Sequence, residues 1–166
     1  MANLLKHPEN EDKRKKMASG LHSVIGSRLN YYLRAYTDEK NLGHVLDASA
    51  TYNFNDGLPR REPDVSFVAF EKMAVPPDED ITLPPDIAAE VVSKNDKVFE
   101  LKRKIRQYQQ AGVKLIWVLN PDDCTADVYR LEKGLKAESL VENDELDGGD
   151  VIPGFTLPVS RLFGFG

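Results

Sequence analysis

Asp64, Glu90 and Lys104 are the side chains of this sequence whose types and spacing can do chemistry. Asp64 stands in Glu62-Pro63-Asp64-Val65-Ser66-Phe67-Val68, Glu90 in Asp86-Ile87-Ala88-Ala89-Glu90-Val91-Val92-Ser93, and Lys104 in Lys102-Arg103-Lys104-Ile105-Arg106-Gln107-Tyr108. Two carboxylates can share a divalent cation, and an ammonium beside them can hold or polarise a water. That is the minimum equipment for metal-assisted hydrolysis of a phosphodiester. Both acids lie in apolar runs that read as strands, where desolvating a carboxylate is costly unless a cation or donor compensates. Taken singly, a strand-end Asp capping a turn and a Glu paired with Arg or Lys are the commoner explanations. The lysine that follows shifts the balance toward function.

The elements that must position these residues follow from apolar spacing. Leu21, Val24, Ile25, Leu29, Tyr32, Leu33 and Tyr36 recur at three and four residues and predict a helix from about Ser19. Val45 to Phe54 reads as extended, with Asn55-Asp56-Gly57 as a turn. Asp64 to Phe70 is an apolar strand with Pro63 at its entrance, and Ile87 to Val92 is a strand covered on both faces. A helix follows, capped by Ser93, Asn95 or Asp96 and stopped by Gly112, with Val98, Leu101, Ile105 and Tyr108 as its apolar stripe. Leu115 to Leu119 is a buried strand, Ala126 to Leu131 alternates, and Leu135 to Val141 returns as a hairpin. This order predicts an α/β (α+β) domain around one mixed sheet. Asp64, Ser66 and Val68 share one strand face and Ala88, Glu90 and Val92 another, so pairing of the strands brings both carboxylates to one edge. Periodicity does not choose the lysine: Lys102 and Lys104 flank the apolar stripe on opposite sides, and Arg103 points away from it. A surface lysine lying over apolar neighbours is the commoner fate of either.

A length of 166 residues fits a charged arm over 1–16 and a single domain over 17–166. An apolar share of 41% and a charged share of 30% describe an ordinary globular protein rather than a disordered one. No apolar run approaches membrane-spanning length, and polar Met1 to Lys16 is unlike a signal peptide. The single cysteine, Cys124, excludes an internal disulfide, fits a reducing cytoplasm, and has no histidine nearby in sequence. A net charge of −5 weighs against a protein that coats nucleic acid, though not against one that grips phosphates locally. Basic residues cluster at Lys13-Arg14-Lys15-Lys16, at Arg60-Arg61, and at Lys102-Arg103-Lys104 with Arg106; a solvated face is the plain explanation of each. Walker-type and Gly-x-Gly-x-x-Gly loops, zinc spacings and a Gly-x-Ser-x-Gly elbow are absent from the sequence. The apolar stretch Ile152 to Phe165 exceeds what one small core readily buries, which predicts a homodimer.

From Pro63 to Arg130 the chain resembles a large family of restriction-endonuclease-like proteins within the PD-(D/E)XK nuclease superfamily. The match rests on Pro63-Asp64-Val65-Ser66-Phe67-Val68, on Glu90-Val91-Val92-Ser93, and on Lys104 with Tyr108. It continues through Ala111-Gly112-Val113, Ile116-Trp117-Val118 with Pro121, Val128-Tyr129-Arg130, and the ending Val151-Ile152-Pro153-Gly154-Phe155-Thr156-Leu157-Pro158. His22 is similar to a histidine the family often carries near its first helix. The resemblance implies a restriction-endonuclease-like mixed central sheet flanked by helices and a Mg²⁺- or Mn²⁺-dependent endonuclease acting on DNA. It makes Asp64 and Glu90 metal ligands, joined by the Val91 carbonyl. The superfamily's lysine usually stands where this chain has Val92, and Lys104, unlike Lys102, matches its relocated position on the following helix. One departure is the N-terminus: the family's opening strand of acidic and glycine residues is replaced by Glu9 to Lys16, so no N-terminal catalytic acid is assigned. Tyr108 is either an orienting hydroxyl one turn beyond Lys104 or a core tyrosine, and His22 either touches a phosphate or bonds locally. The alternative is a catalytically inactive nuclease-fold module binding nucleic acid or a protein partner, favoured by the acidic charge and the missing acidic strand. A structural dimerisation protein has only the apolar C-terminal stretch behind it.

Overall fold

Residues 20–165 are described by the computed structural model of the protein; the charged arm expected at 1–16, with Glu9, lies outside them. Helix α1 (Gly20–Glu39) leads into β1 (Gly43–Asp47), β2 (Val65–Ala69), β3 (Ile87–Val91), α2 (Val98–Ala111), β4 (Leu115–Asn120) and β5 (Thr125–Arg130). A 3-10 turn (Leu131–Lys133), β6 (Ala137–Leu140), β7 (Glu145–Asp147), β8 (Thr156–Pro158) and α3 (Val159–Phe163) complete the chain. Strands β1 to β6 lie side by side in chain order, and β7 pairs with β8. All neighbours in the large sheet are antiparallel except β3 and β4, which run parallel with α2 as their crossover. The mixed sheet between helices matches the architecture expected from the sequence. No helix among the described residues is long and apolar enough to cross a membrane.

Strands β3 and β4 are apolar throughout their centres because both sheet faces are covered. Period-two alternation divides their side chains. Val65, Phe67, Ile87, Ala89, Val91, Leu115, Trp117 and Leu119 join Ile25, Leu29 and Leu33 of α1 in one core. Ala88, Ile116 and Val118 face the opposite way and meet Ile105, Tyr108 and Val113. Glu90 shares the strand face of Ala88 and is therefore turned toward α2. Gly112 ends that helix at φ 94, a left-handed conformation that glycine adopts without steric cost, and its N–H returns to the Gln109 and Tyr108 carbonyls.

Two expectations about α2 need correction, and the ground for a third, the homodimer, is weakened. Helix α2 begins at Val98 with Lys97 in the cap position and no side-chain cap; Asp96 instead closes the preceding turn by accepting the Ser93 N–H at 2.8 Å. Val98 is 69% exposed, so the apolar stripe starts only at Leu101. The apolar surplus that argues for a homodimer is absorbed by one chain: Ile152, Phe155, Leu157, Val159, Leu162 and Phe163 all lie in the core beneath α1. Arg28 of α1 fastens this segment by donating to the Leu162 and Gly164 carbonyls, and the Tyr36 hydroxyl donates to that of Pro153. Trp117 stacks on Phe155 at 6.0 Å and is a core residue, as expected.

A small core on the α2 face holds Tyr52 with Val68, Met73 and Ile81, and the Tyr52 hydroxyl shares a 2.7 Å hydrogen bond with Ser66 Oγ. Burial pushes that hydroxyl up to about 12, whereas an unfolded tyrosine titrates near ~10. The folded state thus keeps a proton that the unfolded chain releases. Below pH ~10 this difference leaves stability unchanged, and as pH rises from there through about 12 stability falls by up to ~3 kcal/mol. Tyr52→Phe should cost ~1 kcal/mol at pH 7 by leaving the Ser66 hydroxyl unpartnered. It should also flatten the loss of stability that wild type shows between about pH 10 and 12, read by urea unfolding at fixed pH. An unchanged alkaline slope would remove Tyr52 as its source.

Candidate active site

Asp64 stands one residue before β2, and continuing the Val65↔Ala89 register by one step sets it opposite Glu90. Opposed residues of an antiparallel pair project from the same face, so the two carboxylates belong to one end of the sheet. Asp64 Oδ2 accepts the Val91 N–H at 2.7 Å and lies 3.3 Å from His22 Nε2. His22 comes from the first turn of α1, on the other side of the sheet, and meets Asp64 at the strand end. Hydrogen bonding to Asp64 raises the pKa of His22 against the opposing effect of burial.

Glu90 is only 4% exposed. Its Oε2 accepts from Lys104 Nζ at 2.8 Å and its Oε1 from the Tyr108 hydroxyl at 2.6 Å. Lys104 and Tyr108 are four residues apart on α2, so one helix face delivers both donors to one carboxylate. The fold thereby makes the choice that periodicity leaves open: Lys104 reaches Glu90, while Lys102 is exposed on the other flank. Burial raises the pKa of Glu90, with Lys104 opposing the shift and the Asp64 charge adding to it. Burial pulls the Lys104 ammonium down, but the Glu90, Asp64 and Asp96 carboxylates more than reverse this, and its pKa ends raised. Burial and the Glu90 charge push the Tyr108 hydroxyl well above its ordinary value. At neutral pH Lys104 is an ammonium and Tyr108 a neutral donor.

A third oxygen faces the same strand end. Val92 donates its N–H to the Leu119 carbonyl at 2.8 Å, so by strand alternation the Val91 N–H and C=O turn toward β2. The Val91 N–H goes to Asp64, and its carbonyl faces the register position of Pro63, which has no N–H to donate. That carbonyl is instead hydrogen-bonded by the His22 ring, and with its second lone pair it joins the two carboxylates in a set of hard oxygens, the kind that suits Mg²⁺ or Mn²⁺. Among the described residues no group of three His, Cys, Asp or Glu side chains is arranged to hold a metal. Backbone oxygen and solvent therefore have to complete any coordination here, and the donors present fit a hard divalent ion on those terms.

Sequence reasoning misses the residues beside this trio. Gln107 is 2% exposed; its Nε2 donates to Asp56 Oδ2 at 3.1 Å and to the Pro59 carbonyl at 3.0 Å, and its Oε1 accepts from Arg61 Nε. The one available signal was a polar glutamine on the buried side of α2, next to Tyr108. A hollow of about 650 Å³ lies elsewhere. It opens beside Leu115, at the start of β4, whereas Glu90 pairs with Val118 near that strand's other end.

Comparison with known proteins bears on this arrangement. The family model of Uma2, described as "Putative restriction endonuclease", matches residues 13–160. No curated protein shows significant sequence similarity to the chain. Among solved structures it is similar to one from Anabaena variabilis ATCC 29413, described as "a putative nuclease belonging to DUF820". The two share 19% identity over 89% of this chain and 82% of that one, with a TM-score of 0.76. That likeness carries the fold: the six-stranded mixed sheet with flanking helices is restriction-endonuclease-like. Since the family model spans most of its length, the chain belongs to the Uma2 family, "Putative restriction endonuclease".

Proposed function

We propose that the chain is a divalent-metal-dependent endonuclease that hydrolyses phosphodiester bonds in DNA. One observation carries this: Asp64, Glu90 and Lys104, drawn from three elements, converge at one sheet end in a chain of a restriction-endonuclease family. Asp64 and Glu90 would hold Mg²⁺ or Mn²⁺ together with the Val91 carbonyl. Such an ion, when bound, neutralises charge on a phosphate oxygen and lowers the pKa of a water. Lys104 supplies a fixed positive charge for the electron density that gathers on the phosphoryl oxygens, and a donor that orients the attacking water. Its raised pKa makes it a poor base, so its role is positioning and charge neutralisation. The water oxygen would bond to phosphorus as it gives a proton to solvent, and the bond to the leaving oxygen would break as that oxygen takes a proton from solvent. Tyr108 fixes the orientation of Glu90, and His22 that of Asp64.

The second reading, an inactive nuclease-fold module, draws support from the same pair of contacts. Lys104 and Tyr108 occupy one site on each oxygen of Glu90, so an internal ion pair serves as its own counter-charge. Incubating the full chain with plasmid and single-stranded DNA in Mg²⁺, in Mn²⁺ and in EDTA separates the two, with RNA as a comparison substrate. Metal-dependent nicking is expected. DNA left intact under every metal, with no heat of Mn²⁺ binding, would favour the inactive module.

A further inference from the structure

Arg61, Arg103 and Arg106 line a cleft of about 160 Å³ between α2 and the loop before β2, together with Leu58, Pro59, Gln107 and Gln110. Arg103, Arg106, Gln107 and Gln110 recur at helical spacing and form one stripe of α2. Three guanidinium groups around so small a space repel one another and call for an anion. In a chain of net charge −5, acids to pair with them are not scarce. Yet among the described residues neither Arg61 nor Arg106 forms an ion pair with a carboxylate. Arg103 has only exposed contacts to Glu100 at 3.4 and 3.5 Å, and it leans on the exposed Phe99 ring at 5.8 Å.

The site is built rather than accidental. Buried Gln107 is held by Asp56 and the Pro59 carbonyl and in turn accepts from Arg61 Nε, which leaves the terminal nitrogens of Arg61 for a ligand. Asp56 is the acid at the cleft, and its two oxygens are engaged by Gln107 and by the Leu58 N–H. The positive charge of Arg61 is felt at Tyr108, the residue that donates to Glu90. Arg106 lies ~3 Å along the helix axis from Lys104 but points to the other side of α2, so it is Arg61 and Gln107, beside Tyr108, that join the cleft to the active-site face.

We infer that this arginine cleft binds a backbone phosphate of the DNA strand that enters the candidate active site, adjacent to the phosphate held at Asp64, Glu90 and Lys104. The identity of the strand rests on the nuclease reading; the affinity of the cleft for a phosphodiester does not. Guanidinium groups suit this ligand because their planar forks match phosphate oxygens. A contact of this kind carries no base information, so it sets the register of the strand and not the sequence cut.

The test uses the full chain and a fluorescently labelled DNA duplex, with binding read by anisotropy over a KCl series, in Ca²⁺ and in parallel in EDTA. Each phosphate contact contributes about 0.9 to the slope of log K against log salt. The exposed Arg106 side chain makes no hydrogen bond or ion pair among the described residues, so Arg106→Gln removes its charge with little effect on packing and should lower the slope by about 1. Arg61→Ala combined with Arg106→Ala should lower it by about 2, and should weaken binding to unrelated duplexes equally. Arg60→Ala is the control, since Arg60 is engaged by Asp80 at 2.5 Å, and it should leave the slope unchanged. A wild-type slope in Arg106→Gln overturns the inference, as does failure of wild type to bind in either condition. Plasmid cleavage in Mg²⁺ is measured alongside. A reduced slope with no cleavage by wild type keeps the cleft and removes the nuclease reading. Cleavage by wild type with an unaltered slope in Arg106→Gln does the reverse.

Discussion

Glu90→Gln should abolish binding of Mn²⁺ and lower DNA cleavage at least ~10³-fold, the scale seen when a group that stabilises transition-state charge is removed. The substitution keeps the shape of the side chain. Its amide oxygen can still accept from Tyr108, whose donor stands 2.6 Å from Oε1. What disappears is the buried negative charge that faces Lys104 and Tyr108. Lys104 then loses the carboxylate that keeps its ammonium favoured against burial. A cation approaching the site meets a neutral amide and an ammonium where it met an ion pair. Asp64→Asn should act in the same direction with a smaller effect, because its remaining oxygen can still accept the Val91 N–H and hold the strand end in place. Calorimetric titration with Mn²⁺ reads both variants directly. A thermal shift gives an independent check, since an ion that binds only the folded chain raises the melting temperature of wild type and not of the variants. If both variants bind Mn²⁺ as wild type does, Asp64 and Glu90 are not its ligands.

Much of this site is legible before any coordinates, and the reason is geometric. Glu90 interrupts an otherwise apolar strand and Asp64 stands at the entrance of one whose only other polar residue is Ser66, and the period of two fixes the face each must share. Lys104 and Tyr108 are one helical turn apart, so whichever face of α2 meets the sheet carries both or neither. Spacing could not supply the direction in which α2 lies over the sheet, and so it left Lys102 and Lys104 equivalent. That direction comes from the packing of Ile105 and Tyr108 on Ala88, Ile116 and Val118. Gln107 and Arg61 were illegible for a different reason. Their partnership joins positions 46 residues apart through an irregular segment that contributes two isolated bridges, Tyr52 to Arg61 and Tyr52 to Ile81, and no strand. Irregular backbone has no period, so nothing in its composition says which helix it will lie against. The C-terminal apolar residues meet a related limit. Their number suggested a second copy, but α1 offers Ile25, Leu29 and Leu33 on one side and the small sheet of β7 and β8 folds Leu146 and Leu157 inward, so one core takes most of them and their number alone does not argue for a dimer.

Lys104→Ala should leave Mn²⁺ binding within about threefold of wild type at pH 8 while cleavage falls ~10²- to 10³-fold. An ammonium 2.8 Å from the Glu90 carboxylate would compete with a cation for it, so removing that ammonium should not weaken the cation's hold. Without metal the variant is a worse molecule: Glu90 loses the attraction that offsets its burial, its pKa rises further, and the metal-free protein should unfold at lower temperature. Adding Mn²⁺ restores an opposite charge, so the melting temperature should rise more in this variant than in wild type. That larger shift, together with lost cleavage, separates a missing transition-state charge from a damaged fold. Lys102→Ala is the matched control on the same helix. Lys102 is exposed and forms no ion pair among the described residues, so its loss should change neither the metal response nor cleavage by more than about twofold. Should Lys102→Ala be the inactive variant and Lys104→Ala cleave normally, Lys104 would be a counter-ion to Glu90 and no more. The positive charge that acts on the phosphate would then have to come from the outer flank of α2, and the Glu90–Lys104 pair would be structural.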